Sequence, residues 1–288
     1  MFLVIGATGD IGQRVVRILR QKEAPVRSFV RLNSRYGELE HRGSEIFIGD
    51  LKEQRDIHKA CNGVKYIISA HGSGGDALAL DYRANIELID RALDIGVEHF
   101  VFISVLGADR GYEDALVFKA KREVEKYLQS SGLNYTILRP AGLASNLLPL
   151  AERFKQTGIY LLIGDSFSRT SIISTDDLAI MAVDSVTNTA ARNQVLAVGG
   201  PEILKREDIP QIFSRIYQRE PIVINPPLAL VDGVRSAIGL FNQDAQKAFG
   251  TFRTLLNNEF FCTSTETERL ETIFKLKLET LESFIRRN

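Results

Sequence analysis

Residues 2–21, FLVIGATGDIGQRVVRILRQ, constrain the fold more than any other stretch. An apolar run leads into three glycines at three-residue spacing, Gly6, Gly9 and Gly12, and the last of them already sits inside an amphipathic helical pattern. A buried strand that turns directly into a helix needs one glycine for the tight turn, one where backbone approaches a ligand, and one where helix and strand touch. The same turn leaves the first amides of the helix unpaired at the positive end of its dipole, which suits a diphosphate. A glycine triplet alone is a weak signal. Between a first strand and a first helix it predicts dinucleotide binding, with Gly6, Thr8, Gly9, Asp10, Ile11 and Gly12 around the diphosphate.

The rest of the chain repeats that alternation. Short β-branched and aromatic runs stand at 2–6, 26–31, 45–49, 65–70, 99–104, 135–140 and 194–199, and helix-period sequence separates most of them. Such alternation predicts an α/β fold, a Rossmann doubly wound parallel sheet with helices on both faces. Near-continuous apolar strands such as FVFIS agree, because strands of a parallel sheet are covered on both sides. Beyond residue 200 the pattern is helical, in REDIPQIFSRIY, NQDAQKAFGTFRTLLNN and STETERLETIFKLKLETLESFIRR, with NPPLAL as Pro-rich punctuation. The expected organisation is a dinucleotide-binding domain over 1–200 and a small, mostly helical C-terminal lobe over 201–288 at the carboxyl edge of the sheet.

Charge narrows the class of partner. Thirty-six basic residues balance thirty-six acidic ones, so no global field favours nucleic acid or an anionic membrane. No run approaches the ~18 apolar residues of a membrane span. The two cysteines, Cys61 and Cys262, read as small core residues, and the four histidines show no metal-ligand cadence, so no metal site is expected. MFLVIGATG carries no basic leader, and the expected location is cytoplasmic, or the plastid stroma if a transit segment has been removed.

The end of the second strand bears on the choice of dinucleotide. An NAD site usually offers an acidic side chain there to the ribose hydroxyls. This chain has SFVRLNSRYG, with Arg31 at the strand end and Arg35 a helical turn further on, and a guanidinium pairs with a 2′-phosphate. NADP(H) is expected over NAD(H).

Several motifs together resemble the atypical short-chain dehydrogenase/reductases of the NmrA-like and isoflavone-reductase-like branch. GATGDIG resembles the family's glycine turn, GDL at Gly49–Leu51 its acid after the third strand, and DYRANIELIDRALDIGVEHFVFIS its fourth helix and fifth strand. KREVEKYLQSSGLNYTILRP, TSIISTDDLA and LETIFKLKLETLESFI are similar to later family segments, the last to cyanobacterial and plastid photosystem-assembly-factor-like members. The resemblance implies that Asp50 and Leu51 flank the adenine and that the turn after the fourth strand, Ala70, His71, Gly72 and Ser73, lies against the ribose. From the residues alone, Asp50 is equally an acid that caps the helix beginning near Glu53.

Hydride transfer needs a nicotinamide held against its acceptor and a group that donates a proton or stabilises an oxyanion. The usual short-chain reductase supplies Ser, Tyr and Lys, the Tyr four residues before the Lys. Here Ser104 ends the fifth strand and Lys121 falls with the apolar face of ALVFKAKREVEKYL, but Val117 stands where the Tyr would be. Ser104 and Lys121 are the candidate catalytic and ribose-binding residues; Tyr112 lies earlier in a loop. Two readings stay open: a reductase of a small organic substrate that works without the Tyr, or an NADPH-binding regulatory or assembly protein with a protein partner.

Overall fold

A computed structural model describes residues 1–72, 76–226 and 243–288. Ser73 and residues 227–230 of NPPLAL lie outside the described residues. The core is a seven-stranded sheet of β1 (Phe2–Ile5), β2 (Val26–Val30), β3 (Glu45–Ile48), β4 (Tyr66–Ser69), β5 (His99–Ile103), β6 (Tyr135–Pro140) and β9 (Gln194–Val198). The order is β3-β2-β1-β4-β5-β6-β9 and every pairing is parallel. These seven strands coincide with the seven runs read from the sequence, each within a residue or so at its ends. The chain moves outward from β1 in one direction and then, through β4, in the other. That reversal opens a crevice beyond the carboxyl ends of β1 and β4, where open sheets of this kind take ligands.

Both faces are covered, which is why the strands are apolar throughout. Leu3, Ile5, Phe100 and Phe102 point to one face with α3 (Gln54–Ala60), α4 (Ala84–Asp94) and Val124 and Leu128 of α5 (Leu116–Ser130). Val4, Val101 and Ile103 point to the other, against α1 (Asp10–Gln21) and α7 (Thr175–Asp184). The period of two in the strands and the 3.6 period in the helices meet at these clusters. Between β4 and α4 runs a π-helix, Ala77–Arg83.

Residue 200 lies between β9 and β10 (Leu204–Lys205), and the apolar cluster nearest it draws on both sides. Phe154 of α6 (Leu148–Thr157), Tyr160 of β7 (Ile159–Leu161), Ile212 and Phe213 of α8 (Asp208–Tyr217) and Phe284 of the last helix pack together. Two small sheets stitch the same segments: β10 with β8 (Arg169–Thr170), and β11 (Ile222–Ile224) with β7. The stretch after β6 holds a 3-10 turn at Ala144–Leu147 and leads into α6, with Pro149 in the first turn where its missing amide is harmless.

After the undescribed segment come α9 (Gln243–Asn257), α10 (Ser264–Phe274) and α11 (Leu281–Arg287). The tail's helical period is real but interrupted. Lys275 takes the left-handed conformation that ends α10, with φ 49°, and the Thr280 side chain caps the start of α11.

Cys61 and Cys262 are both buried and unpaired, and burial pushes each thiol up to about 12. His99 is buried in β5, where its Nε2–H donates to Thr136 Oγ1 at 2.9 Å while that hydroxyl donates to Ala191 O. Burial holds His99 down to about 4, against about 6.5 for a free imidazole. A depressed histidine contributes stability above the unfolded value, and that stability is lost as pH falls from about 6.5 through about 4. His71, also depressed by burial, acts with the same sign, and Asp177, pushed up to about 6 by burial, acts with the opposite one. Acid titration of the thermal midpoint over this range should fall by the equivalent of about 2 kcal/mol more in the wild type than in His99→Gln. Parallel curves for the two proteins would remove His99 from the account.

Candidate functional site

The glycine turn shows three separate reasons for its three glycines. Gly6 has φ 78°, and a Cβ there would sit 2.7 Å from the His71 backbone in the turn after β4. At Gly12 a Cβ would lie 2.1 Å from Gly6 O, so α1 rests on the turn only because position 12 has no side chain. Gly9 is different: its conformation is extended, φ −80°, and a Cβ meets protein only at Gly6 O, 3.3 Å away. Of the three positions, the protein's own demand for glycine is therefore weakest at position 9.

Beyond this turn lies a cleft of about 200 Å³. Gly6, Thr8 and Gly9 form one wall, Arg31 with Phe29 and Val30 the end of β2, Asp50 and Leu51 the end of β3, and Ala70, His71 and Gly72 the end of β4. Nine of the residues expected at the cofactor are thus neighbours in one cleft, drawn there from four stretches of sequence. Asp10 is exposed in the first turn of α1, Ile11 and Gly12 are buried in the core, and Ser104 and Lys121 lie at the end of β5 and on α5, so these five do not line it.

A wider depression of about 600 Å³ continues past Arg31, along Leu32, Asn33 and Ser34 on one side and Ile48 and Gly49 on the other. Arg31 and Arg35 are both exposed, and among the described residues neither engages a carboxylate. Asp50 does not cap α3. Its Oδ1 accepts from Lys52 N at 2.9 Å, and its own amide donates to Asp56 Oδ2.

His71 is fixed in one tautomer. Its Nε2 faces Leu80 O at 2.8 Å, and since a carbonyl only accepts, Nε2 carries the proton. Burial, with the Lys121 charge adding to it, holds the ring below its usual pKa and so neutral. Ser69 Oγ donates to Asn85 Oδ1 at 2.7 Å, and Asn85 Nδ2 donates to Asp81 O at 2.8 Å.

Lys121 is buried, 7% exposed, with its stem on the apolar face of α5. It does not snorkel to solvent: Nζ donates to Ile103 O at 2.8 Å, lies 5.0 Å from the Phe102 ring centroid, and faces Asp81 Oδ1 at 3.6 Å. Ser104 follows the carbonyl that Lys121 holds, and its buried Oγ has no hydrogen-bond partner among the described residues. Val117 supplies no phenol. Tyr112 packs edge-on against Phe118, with ring centroids 5.4 Å apart, and against Phe260, in a cluster with Leu106, Ala141 and Cys262. Arg139 pairs locally with Glu125 through two bonds, Nε–Oε1 at 3.0 Å and Nη2–Oε2 at 2.5 Å, and with Asp109.

Sequence reasoning assigned no role to Asp81, Asn85 or Glu125. The signal available was an acid on the buried face of each helix, which only a known partner turns into a site.

A family model described as NAD(P)H-binding matches residues 6–189, from the glycine turn through α7. The chain belongs to this NAD(P)H-binding family. Within it, the chain is an atypical short-chain dehydrogenase/reductase of the NmrA-like branch, a Rossmann-like oxidoreductase family. An NAD(P)H azoreductase of Xenophilus azovorans is 31% identical over 215 residues, 74% of this chain and 73% of that protein. The photosystem II assembly factor Ycf39 of Cyanophora paradoxa is 27% identical over 299 residues, 98% of this chain and 90% of the relative. In fold, the Citrobacter sp. triphenylmethane reductase complexed with NADP(H) superposes with a TM-score of 0.80 at 18% identity, over 100% of this chain and 99% of that one. This NAD(P)H-binding protein has no helix, among its described residues, that is long and apolar enough to cross a membrane.

Proposed function

We propose that the chain binds NADP(H) in preference to NAD(H), with the diphosphate on the Gly6–Gly12 turn and the adenosine between Arg31, Asp50, Leu51 and the Ala70–Gly72 turn. Arg31 carries this reading: it borders both depressions, and no carboxylate holds its guanidinium among the described residues. Arg35 supplies a second positive charge to the 2′-phosphate. Charge-assisted bonds of this kind contribute about 1.5–3 kcal/mol. Arg31→Ala should therefore weaken NADPH roughly 10–100-fold in a fluorescence titration while leaving NADH within about twofold. Equal losses for the two cofactors would end the preference.

At the other end of the cofactor, Ser104 and Lys121 hold the nicotinamide ribose. When bound, the nicotinamide supplies a hydride. Val117 leaves the protein without a phenol to protonate the product, so the acceptor that suits this chain is a conjugated electrophile whose reduced form takes its proton from water, such as the azo compounds named for its bacterial relative.

A second reading, an NADPH-binding assembly or regulatory protein, draws on one observation. Leu161, Ile222, Val223 and Ile224 form an exposed apolar surface on the β7–β11 pair, the kind of patch that marks a protein contact. Azo- and quinone-dependent oxidation of NADPH, followed at 340 nm, separates the two. Turnover supports the reductase, and tight binding without turnover supports the binder.

A further inference from the structure

Asp81 has the most unusual surroundings of any charged group in the described structure. It is fully buried, and among the described residues neither carboxylate oxygen accepts a hydrogen bond. Among the described residues the one cation facing it is Lys121 Nζ, 3.6 Å from Oδ1. A carboxylate taken out of water without donors is strongly unfavourable unless an opposite charge is held beside it.

Its location explains how it came to face inward. Asp81 lies in the π-helix Ala77–Arg83, whose wider turn rotates side chains away from the positions a regular helix would give them, a distortion found often at functional sites. Side chains from outside pin that turn. His71 Nε2–H donates to Leu80 O and Asn85 Nδ2 to Asp81 O, and Ser69 at the end of β4 fixes Asn85. Hydrogen bonds through Ser69 and Asn85 thus join the His71 turn of the cofactor cleft to the backbone of Asp81, whose carboxylate faces Lys121.

We infer that Asp81 is a positioning residue for Lys121: it keeps the ammonium charged and aimed at the end of β5, beside Ser104, and the π-helix exists to present it there. The inference rests on the reading of Lys121 as a contact of the nicotinamide ribose. Ile103 O takes one ammonium proton, and the direction of Asp81 is set by charge rather than by a second short hydrogen bond. That leaves a proton on Nζ for a hydroxyl of the bound ribose, and Ser104, whose buried Oγ has no partner among the described residues, directly follows Ile103 at the same strand end. The remaining titratable groups facing the pair do not replace Asp81. His71, from the turn after β4, is held neutral, and Glu125 on α5 is committed to Arg139.

The test is NADPH binding from pH 6 to pH 9 by four proteins: wild type, Asp81→Asn, Lys121→Met and the double variant. In Asp81→Asn the buried lysine lacks its counter-charge and releases its proton more readily. Affinity should then be about tenfold below wild type near neutrality and should keep falling as pH rises, while the wild type stays level. In the Lys121→Met background Asp81→Asn should change neither affinity nor pH profile, which a purely structural role would not produce. If Lys121→Met itself binds as tightly as wild type, the ribose reading fails. If Lys121→Met weakens binding and Asp81→Asn does not, only the role of Asp81 is overturned. A chain that fails to fold as Asp81→Asn but folds as Asp81→Asn/Lys121→Met supports the pairing, because removing both charges removes the uncompensated one. Failure of both to fold assigns Asp81 to the fold alone and overturns the inference.

Discussion

Gly9→Ala should keep the fold and weaken cofactor binding, whereas Gly12→Ala should destabilise the fold itself. At Gly9 the new Cβ meets only Gly6 O, 3.3 Å away, a contact relieved by a shift of a few tenths of an ångström, and the backbone conformation is one any residue adopts. On the proposed reading the methyl group stands where a diphosphate approaches the first turn of α1. Displacing it forfeits one or two charge-assisted hydrogen bonds, so both NADPH and NADH should weaken about 10–100-fold with the thermal midpoint nearly unchanged. At Gly12 the Cβ would lie 2.1 Å from Gly6 O and 2.7 Å from Ala7 Cα, and α1 must lift off β1. Overpacking of that severity costs about 3 kcal/mol or more, read as a lowered urea midpoint. Undiminished NADPH binding in Gly9→Ala would show that the glycine serves the turn and not a ligand.

The second large effect concerns Arg139→Met. Glu125 is 2% exposed, and both its carboxylate oxygens accept from one edge of the Arg139 guanidinium, Nε and Nη2. Removing the arginine leaves a buried, uncompensated charge, which should cost about 3–5 kcal/mol in urea unfolding. It also unties Asp109, and with it the loop after β5 that carries Tyr112. The neutral pair Glu125→Leu/Arg139→Met should recover most of the stability, because two apolar side chains need no partner. A double variant as unstable as Arg139→Met would mean that packing, not charge, sets the value of this pair.

The sheet was legible in the sequence because its signals are local. Seven apolar runs and the helical periods between them are consequences of covering a parallel sheet on both faces, and each can be read within a window of a few residues. The gathering of Gly6, Arg31, Asp50 and His71 into one cleft was legible for a related reason: each ends a strand on the same edge, and strand order follows from the βαβ connections. The short strands β7, β8, β10 and β11 were not legible, since two or three residues carry no period and pair only with distant segments. Nor was the break at Lys275, where a left-handed residue with no glycine interrupts an otherwise continuous helical pattern.

Lys121 marks the boundary between the two kinds of knowledge. Its spacing along α5 determined that an amine lies on a packed face with Val117 one turn before it, and the resemblance to short-chain reductases marked that position as the one where a phenol is usual. The sequence likewise determined the dinucleotide turn, through steric demands within a few residues of Gly6. What the amine holds was decided only by the tertiary structure: Ile103 O on β5, and Asp81 on a π-helix whose widened turn has no sequence period of its own. Buried charges find their partners through space, and the low dielectric that makes the pairing necessary exists only once the core has closed.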